Sequence, residues 1–484
     1  MCLLFNDYLN TLFNAEHTQA WENNPGLDYF KEEYMTNISQ DASGHQVHNH
    51  QSRQKVRNSL KLSILDGSAY AAMLGFTQNF TTPFALVLQA SSMQIGLLSS
   101  IPGIATAFTQ LAAPGLAERA GNRKRMIMTA AFFHAMMWLP VFLVPYFFRS
   151  AGVWWLIGLV TICFVTDSMS FPPWGSMMAD LVPEELRGRY FGFRGRIAVF
   201  ITLVFSLLAG GILQILSGNV FVGFAVLFGG AAGFRLLSFF FLSRMYEPPV
   251  TLEKENAPGV MQIVRTLGTS NLGRYMIYIA LIYFGMMLSG PFFSVFMLRD
   301  LHFNYLTYTI VTSASIVANL FFLPFWGRRA DRAGNLKIVR ITSWLMPVVP
   351  MLWLVSANPV YLVFANIVSG FTWSGFNLAS VNFVFDASEP GNRTKQIAVF
   401  NSFIWLAICI GSLVGGYLIP HLPHFLGFQM RTLFTLSGVV RGVVVIVLLR
   451  TIVEVRHVPS LSAFSVLFHR PGLKEKVKDV EEEK

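Results

Sequence analysis

Twelve long apolar stretches run through this chain of 484 residues and limit it to a polytopic membrane fold. Each stretch is close to the roughly 20 residues that a helix needs to cross the hydrocarbon core of a bilayer. Charged residues make up only 13% of the chain, which excludes an ordinary soluble enzyme, a disordered protein and a nucleic-acid binder. The predicted fold is all-α, with spans at 60–89, 94–117, 125–147, 153–180, 190–216, 219–242, 273–298, 304–327, 337–356, 358–385, 395–419 and 430–453.

Basic residues are distributed unevenly between the loops on the two sides of the predicted membrane. Twelve Lys and Arg residues lie in the loops after spans 2, 4, 8 and 10, whereas three lie in the loops on the other side. Because Lys and Arg accumulate in cytoplasmic loops, both termini are predicted to lie in the cytoplasm, and the protein in the cytoplasmic (inner) membrane. The same bias explains much of the net charge of +10 without a nucleic-acid partner.

The longest internal loop divides the twelve spans into two sets of six. Its apolar residues follow helical spacing, which favours either a short amphipathic helix on the membrane surface or a plain tether. The predicted domains are a cytoplasmic tail (1–59), a six-helix bundle (60–242), a cytoplasmic central loop (243–272), a second six-helix bundle (273–455) and a cytoplasmic C-terminal tail (456–484).

The two sets of spans repeat each other at a spacing of 206 residues. The charged residues that recur are Asp180 with Asp386, Arg187 with Arg393, and Arg235 with Arg441. The stretch AERAGN at 117–122 also matches ADRAGN at 330–335. Duplicated bundles of this kind are typical of transporters whose two halves rock against each other.

The repeated loop resembles the signature of the major facilitator superfamily, G-x-x-x-D-R/K-x-G-R/K-R/K. The second copy carries Gly327, Asp331, Arg332 and Gly334, with Asn335 and Leu336 in place of the basic pair. The first copy carries Glu118, Arg119 and Gly121, with Pro114 at the first glycine and Glu in place of Asp. The resemblance covers roughly residues 60–455 and implies two pseudo-symmetric bundles.

In the resembled family this loop helps to hold the cytoplasmic side closed. Carboxylates at helix ends can accept backbone N–H groups, and Arg can bridge helices. The gate candidates are Glu118, Arg119, Gly121, Asp180, Arg187, Arg235, Asp331, Arg332, Gly334, Asp386, Arg393 and Arg441. Since an intramembrane charge needs a partner, we expect Asp180 to pair with Arg235, and Asp386 to pair with Arg441. A purely topological role for the basic residues stays open.

Asp167, near the middle of span 4, is the most informative single residue of the sequence. A lone intramembrane carboxylate predicts a group that takes and releases a proton during transport. A sodium ion, a cationic substrate, or a structural ion pair with Arg194 or Arg196 are alternatives. His134 on span 3 is expected to be a packed or hydrogen-bonded histidine.

Other polar and aromatic residues lie on the spans that line the central cavity in the resembled fold, which are spans 1, 4, 7 and 10. The cavity candidates besides Asp167 are Asp66, Gln78, Asn79, Trp174, Tyr283, Asn366, Trp373 and Asn377. Asp66 has an alternative as a helix-end carboxylate paired with Lys61 or Arg57. Because Trp373 stands 206 residues after Asp167, the cavity is predicted to have a charged wall and an aromatic wall, which suits an amphipathic or cationic organic molecule.

The leading hypothesis is a secondary active transporter, a symporter or antiporter driven by protons or by sodium, that works by alternating access. Alternatives are a passive facilitator or exchanger, and a lipid- or pigment-handling membrane protein of the same fold. The sequence lacks the Walker A, H-E-x-x-H and G-x-S-x-G patterns, so we expect neither an enzyme nor ATP drive, and no cofactor or metal site. The expected partners are a small-molecule substrate, the coupling ion and the lipid bilayer, and we expect a monomer.

Overall fold

The computed structural model of the chain describes residues 46–120, 122–148, 151–182, 184–248, 270–388 and 393–456. Two compact units divide the chain, Met1–Asn58 and Ser59–Lys484. In the first unit the described residues, 46–58, are helical and belong to the helix Gln46–Thr77, and the packing and the sites described below concern the second unit. The apolar pattern in the central loop that favours an amphipathic helix or a tether lies outside the described residues.

The described chain forms twelve helical segments, which we number spans 1 to 12, and no named strand. Spans 1, 7 and 9 are each made of more than one helix, and the others are single helices. In order the bounds are Gln46–Thr77 with Thr81–Val87, Ser92–Ala120, Arg123–Phe147, Gly152–Leu181, Glu184–Ile215, Val220–Arg244, Asn271–Ser289 with Phe292–Val295, Tyr305–Ala333, Asn335–Leu345 with Val348–Val355, Pro359–Ala387, Arg393–Leu418 and Gln429–Leu448.

Asparagine and serine side chains begin several spans by capping the free N–H groups of the first helical turn. Such capping satisfies donors that have no partner inside the helix. The caps are Asn122, Asn219, Ser270, Asn304 and Asn358. The first helix begins at Gln46, well before the predicted residue 60, because apolar length marks only the part that faces lipid.

Nine segments within the described residues are long and apolar enough to cross a membrane. The other three are spans 1, 2 and 10. Span 10 has 29 residues and is long enough to cross, but its three asparagines and Asp386 lower the hydropathy of the helix. Two of these asparagines, Asn366 and Asn377, are among the cavity candidates of the sequence analysis.

Spans 1–6 and spans 7–12 form two halves with matching internal packing. Span 3 packs against spans 4 and 6, and span 9 packs against spans 10 and 12. In the same way span 2 packs against span 4, and span 8 against span 10. The predicted all-α fold of two pseudo-symmetric six-helix bundles is therefore confirmed.

The two halves meet where spans 2 and 11 cross and where spans 5 and 8 cross. Glycines bring the first pair together: a Cβ atom on Gly96 would lie 2.6 Å from the carbonyl oxygen of Ser412, and one on Gly416 would lie 2.8 Å from that of Ser92. The hydroxyl of Ser100 lies 2.7 Å from that of Ser412. These contacts lie toward the loop between spans 1 and 2, at what we name the loop-1 end; the loop between spans 2 and 3 marks the loop-2 end.

Replacing Gly416 by Val is expected to push the halves apart at the loop-1 end, because the new side chain has no room beside span 2. The readout is the alkylation rate of Cys409, a buried cysteine on the same span, in protein carrying Cys2→Ser and Cys163→Ala. The matched control is Gly229→Val, since a Cβ atom there meets nothing within 4 Å. Alkylation of Cys409 at the same measurable rate in the two variants would contradict the close packing of spans 2 and 11.

Candidate functional site

Asp167 lies among side chains from spans 1, 3 and 6. The Tyr70 hydroxyl donates to its Oδ2 at 2.7 Å, and Nδ1 of His134 lies 3.3 Å from its Oδ1. The guanidinium of Arg235 lies 3.7 Å from the same Oδ1. The prediction of a lone carboxylate is therefore wrong, and the ion pair joins Asp167 to Arg235 on span 6. The Asp167 side chain is still 34% exposed, so one side of the carboxylate stays accessible.

Arg235 also links Asp167 to a second buried carboxylate, Asp66. Arg235 donates to the Ser238 hydroxyl at 2.8 Å, and Ser238 donates to Oδ1 of Asp66 at 2.6 Å. Arg194 lies 3.7 Å from Oδ2 of Asp66, where sequence alone suggested Lys61 or Arg57. We name the following side chains the carboxylate network: Asp66, Tyr70, His134, Asp167, Arg194, Arg235 and Ser238.

The tautomer of His134 follows from its second hydrogen bond. Its Nε2 accepts the indole N–H of Trp138 at 3.2 Å, so the proton of the neutral ring belongs on Nδ1, which faces Asp167. A charged imidazole would need a proton on Nε2 as well, directed at the Trp138 donor. Trp138 therefore favours neutral His134, with Nδ1–H facing Asp167.

The network is balanced in charge when His134 is neutral. Asp66 and Asp167 carry the two negative charges, while Arg194 and Arg235 carry the two positive ones. Balanced pairing is what buried charges in a membrane helix bundle require. One added proton would give the network a net charge of +1.

Two network members, Tyr70 and Ser238, were missed at the sequence level. Tyr70 stands four residues after Asp66, and Ser238 stands three residues after Arg235, so each shares a helix face with a charged residue. That spacing was the available signal. His134 was expected to be a packed or hydrogen-bonded histidine, and its bond with Trp138 agrees with that expectation.

A second group of predicted residues lies together on spans 7 and 10. The Tyr283 hydroxyl donates to the Asn377 side chain at 2.9 Å, and the rings of Tyr283 and Trp373 are 5.7 Å apart. On span 4, Trp174 instead contacts the network, with the Arg194 guanidinium 4.5 Å from its ring.

The remaining cavity candidates have other positions. The Asn366 amide donates to the backbone carbonyl of Leu362 in its own helix at 3.0 Å. Gln78 and Asn79 lie in the break between the two helices of span 1. This places the pair at the loop-1 end, away from the mid-span position of Asp167.

Arg441, the repeat counterpart of Arg235, contacts neutral groups within the described chain. It donates to the hydroxyls of Ser437 at 2.8 Å and Ser289 at 3.1 Å, and to the carbonyl of Met346 at 3.2 Å. The Met346 carbonyl is free because Pro350, four residues later, has no N–H to donate. Arg441 therefore joins spans 7, 9 and 12 through neutral groups, whereas its counterpart Arg235 balances carboxylates.

The predicted pairings of Asp180 with Arg235 and of Asp386 with Arg441 are wrong. Asp180 binds Arg123 at 2.7 Å, and Asp386 accepts from the Asn335 amide at 2.6 Å. Thirteen residues separate Asp180 from Asp167, or about 20 Å along the helix, so Asp180 cannot reach the mid-span Arg235. Asp180 instead holds the first turn of span 3, and Asp386 holds the first turn of span 9, both at the loop-2 end.

The loop signature at the loop-2 end is described in part. Gly334 separates spans 8 and 9 with a φ of 85°, a conformation that favours glycine, and Asp331 and Arg332 are exposed. Backbone N–H groups of Lys124 and Leu336 donate to Glu247 and Glu454. The side chains of Glu118, Arg119, Arg187 and Arg393, and all of Gly121, lie outside the described part of the chain.

Metal binding has no candidate cluster in the part of the chain that the structure describes: no group of three or more His, Cys, Asp or Glu residues there is placed to hold an ion. The site is thus a set of charged, hydroxyl and aromatic side chains inside a duplicated helix bundle. Such a duplicated bundle is typical of membrane transporters.

The family follows from the sequence comparison. The profile of the Major Facilitator Superfamily matches residues 64–273 and 275–474, which is most of the chain. The chain belongs to this superfamily of transporters, which are not enzymes, and the predicted resemblance is confirmed.

Solved structures with the same fold include two transporters. A mutant form of the nucleoside transporter NupG has a TM-score of 0.65 at 15% identity, covering 81% of this chain and 99% of that one. The D-xylose-proton symporter has a TM-score of 0.62 at 14% identity, covering 83% and 98%. The probable multidrug resistance protein EmrY of Escherichia coli (strain K12) is 25% identical over 164 residues, 34% of this chain and 30% of EmrY, so the match spans under a third of that relative.

Proposed function

We propose that the protein is a proton-coupled secondary transporter that moves a small, partly apolar organic solute across the cytoplasmic membrane by alternating access. The observation that carries this proposal is Asp167, which is accessible on one side and tied on the other to Arg235, Tyr70 and His134. A proton on Asp167 removes the charge that Arg235 faces. Arg235 then keeps its link to Asp66 through Ser238, so protonation loosens span 4 from spans 1 and 6.

The arrangement of the halves fits the same proposal. The positive-inside bias supports a cytoplasmic position for the loop-2 end and both termini. The halves touch through glycines and serines at the loop-1 end, so this conformation is closed to the outside. A rocking motion about the bundle centre would exchange this closure for one at the loop-2 end.

The two groups of side chains support the proposed class of solute. Tyr283, Trp373 and Trp174 offer aromatic faces, and Asn377 offers hydrogen bonds. Because the carboxylate network is balanced in charge, it gives a cationic solute no advantage over a neutral one. Relatives of the fold include proteins described as a nucleoside transporter and a D-xylose-proton symporter, which supports neutral organic molecules as the first probes.

The test is a thermal-stability screen of the purified protein in detergent, with nucleosides, sugars and amphipathic organic cations at acidic and at neutral pH. A solute that binds only the folded protein raises its unfolding temperature by mass action. We expect at least one class to stabilise the protein, with an apparent affinity that changes with pH. Stabilisation that is the same at both pH values would instead favour a passive facilitator or exchanger in which the three contacts of Asp167 are structural.

A further inference from the structure

Spans 1 and 7 are both broken at the loop-1 end. In span 1 the helix Gln46–Thr77 stops and a new helix, Thr81–Val87, begins. In span 7 the helix stops at Ser289 and resumes as Phe292–Val295. A broken helix leaves backbone carbonyl groups without helical donors, and these need partners from elsewhere.

The carbonyl of Asn79 is one such group. In a continuous helix its donor would be the N–H four residues later, but that residue is Pro83, which has none. The donor it finds is the hydroxyl of Tyr308 on span 8, at 2.7 Å. A side chain of the C-terminal half therefore completes the backbone of the N-terminal half.

The same hydroxyl also contacts the broken part of span 7. Because the Tyr308 proton is used on Asn79, the Ser294 hydroxyl donates to the Tyr308 oxygen, at 3.1 Å. Tyr308 is 1% exposed, and its ring lies edge-on to Phe80, with centroids 6.3 Å apart. One buried hydroxyl thus holds together the two discontinuous spans.

We infer that Tyr308 acts as a latch at the loop-1 end: its hydrogen bond to the Asn79 carbonyl keeps that end closed and must break whenever that end opens. The inference rests on the proposed alternating access and adds to it the residue that sets the balance between closed and open forms. Removal of the hydroxyl takes away one part-buried hydrogen bond and leaves the half-buried Asn79 carbonyl without that donor. The closed form is then disfavoured by about tenfold.

The test uses protein in which Cys409 is the one remaining cysteine, with Cys2→Ser and Cys163→Ala. Cys409 is 2% exposed, and its carbonyl accepts from Ser100 across the closed interface at 3.1 Å. A membrane-impermeant maleimide then reports opening of the loop-1 end at constant pH. We expect Tyr308→Phe to raise the alkylation rate about tenfold.

The matched control is Tyr305→Phe, one turn earlier on the same span and expected to leave the rate unchanged. Ser294→Ala removes the weaker partner and should give a smaller increase than Tyr308→Phe. An unchanged rate in Tyr308→Phe, with an unfolding temperature like that of the parent, would overturn the latch.

The same reporter separates failure of the latch from failure of alternating access. Detergent-denatured protein shows that the thiol can react. If Cys409 then stays unreactive in folded protein even when Gly416→Val is present, the loop-1 end does not open, and both the latch and alternating access are overturned. If Gly416→Val reacts and Tyr308→Phe does not, the latch alone is overturned.

Discussion

Asp167→Asn is expected to abolish proton-driven accumulation of substrate while gradient-independent exchange of that substrate continues. Asn keeps the size of the side chain and can still accept the Tyr70 hydroxyl, but it can neither bind the transported proton nor release it. The measurement is uptake into proteoliposomes, with and without an imposed pH gradient, of the solute that the thermal screen identifies.

The matched control for this variant is Asp300→Asn, at the loop-1 end, where the carboxylate contacts the neighbouring Arg299 at 3.3 Å. It should leave accumulation intact, because that ion pair lies outside the carboxylate network. Undiminished accumulation by Asp167→Asn would place the proton on another group. Loss of exchange as well as accumulation, in protein that unfolds at the parental temperature, would assign Asp167 to substrate binding instead.

Arg235→Gln is expected to destabilise the protein by about 3–5 kcal/mol at neutral pH, since it leaves two carboxylates in the bundle without their shared cation. The loss should shrink as the pH falls. Protonation of Asp66 and Asp167 removes the negative charges that Arg235 balances. The difference in stability between the parent and the variant therefore becomes smaller. The readout is the unfolding temperature in detergent across a pH series.

The repeat supplies the control for this experiment. Arg441→Gln changes the same residue type at the equivalent position of the other half, where the described partners are Ser437, Ser289 and a backbone carbonyl. Its loss of stability should be independent of pH, because these partners do not titrate in that range. Parallel pH profiles for the two variants would show that the network holds no proton-sensitive balance around Arg235.

The all-α fold could be predicted from the sequence because length and apolar composition alone determine membrane spans. The mid-span charges were found in the same way, since a charged residue stands out in an apolar stretch. The partners of these charges could not be found from the sequence. The repeat relates Asp180 to Asp386 and Arg235 to Arg441, but equivalent positions in two halves say nothing about which residues touch within one half.

The remaining features depend on how helices approach each other. Tyr70 could have been added to the network from its position one turn after Asp66, because that interval keeps two side chains on one helix face. No such local rule leads to Tyr308, which lies more than 200 residues from its partner Asn79 and bonds to a backbone atom. The close approach of the two halves at the loop-1 end likewise follows only from the three-dimensional contacts of Gly96 and Gly416.

The polarity of span 10 has a consequence for how the chain enters the membrane during synthesis. Its 29 residues include three asparagines and Asp386, which are costly to expose to lipid. Spans 8 and 9 pack against it, and both precede it in the chain, so they are already made when it emerges. We therefore expect this part of the protein to be inserted as a group of three helices rather than one helix at a time.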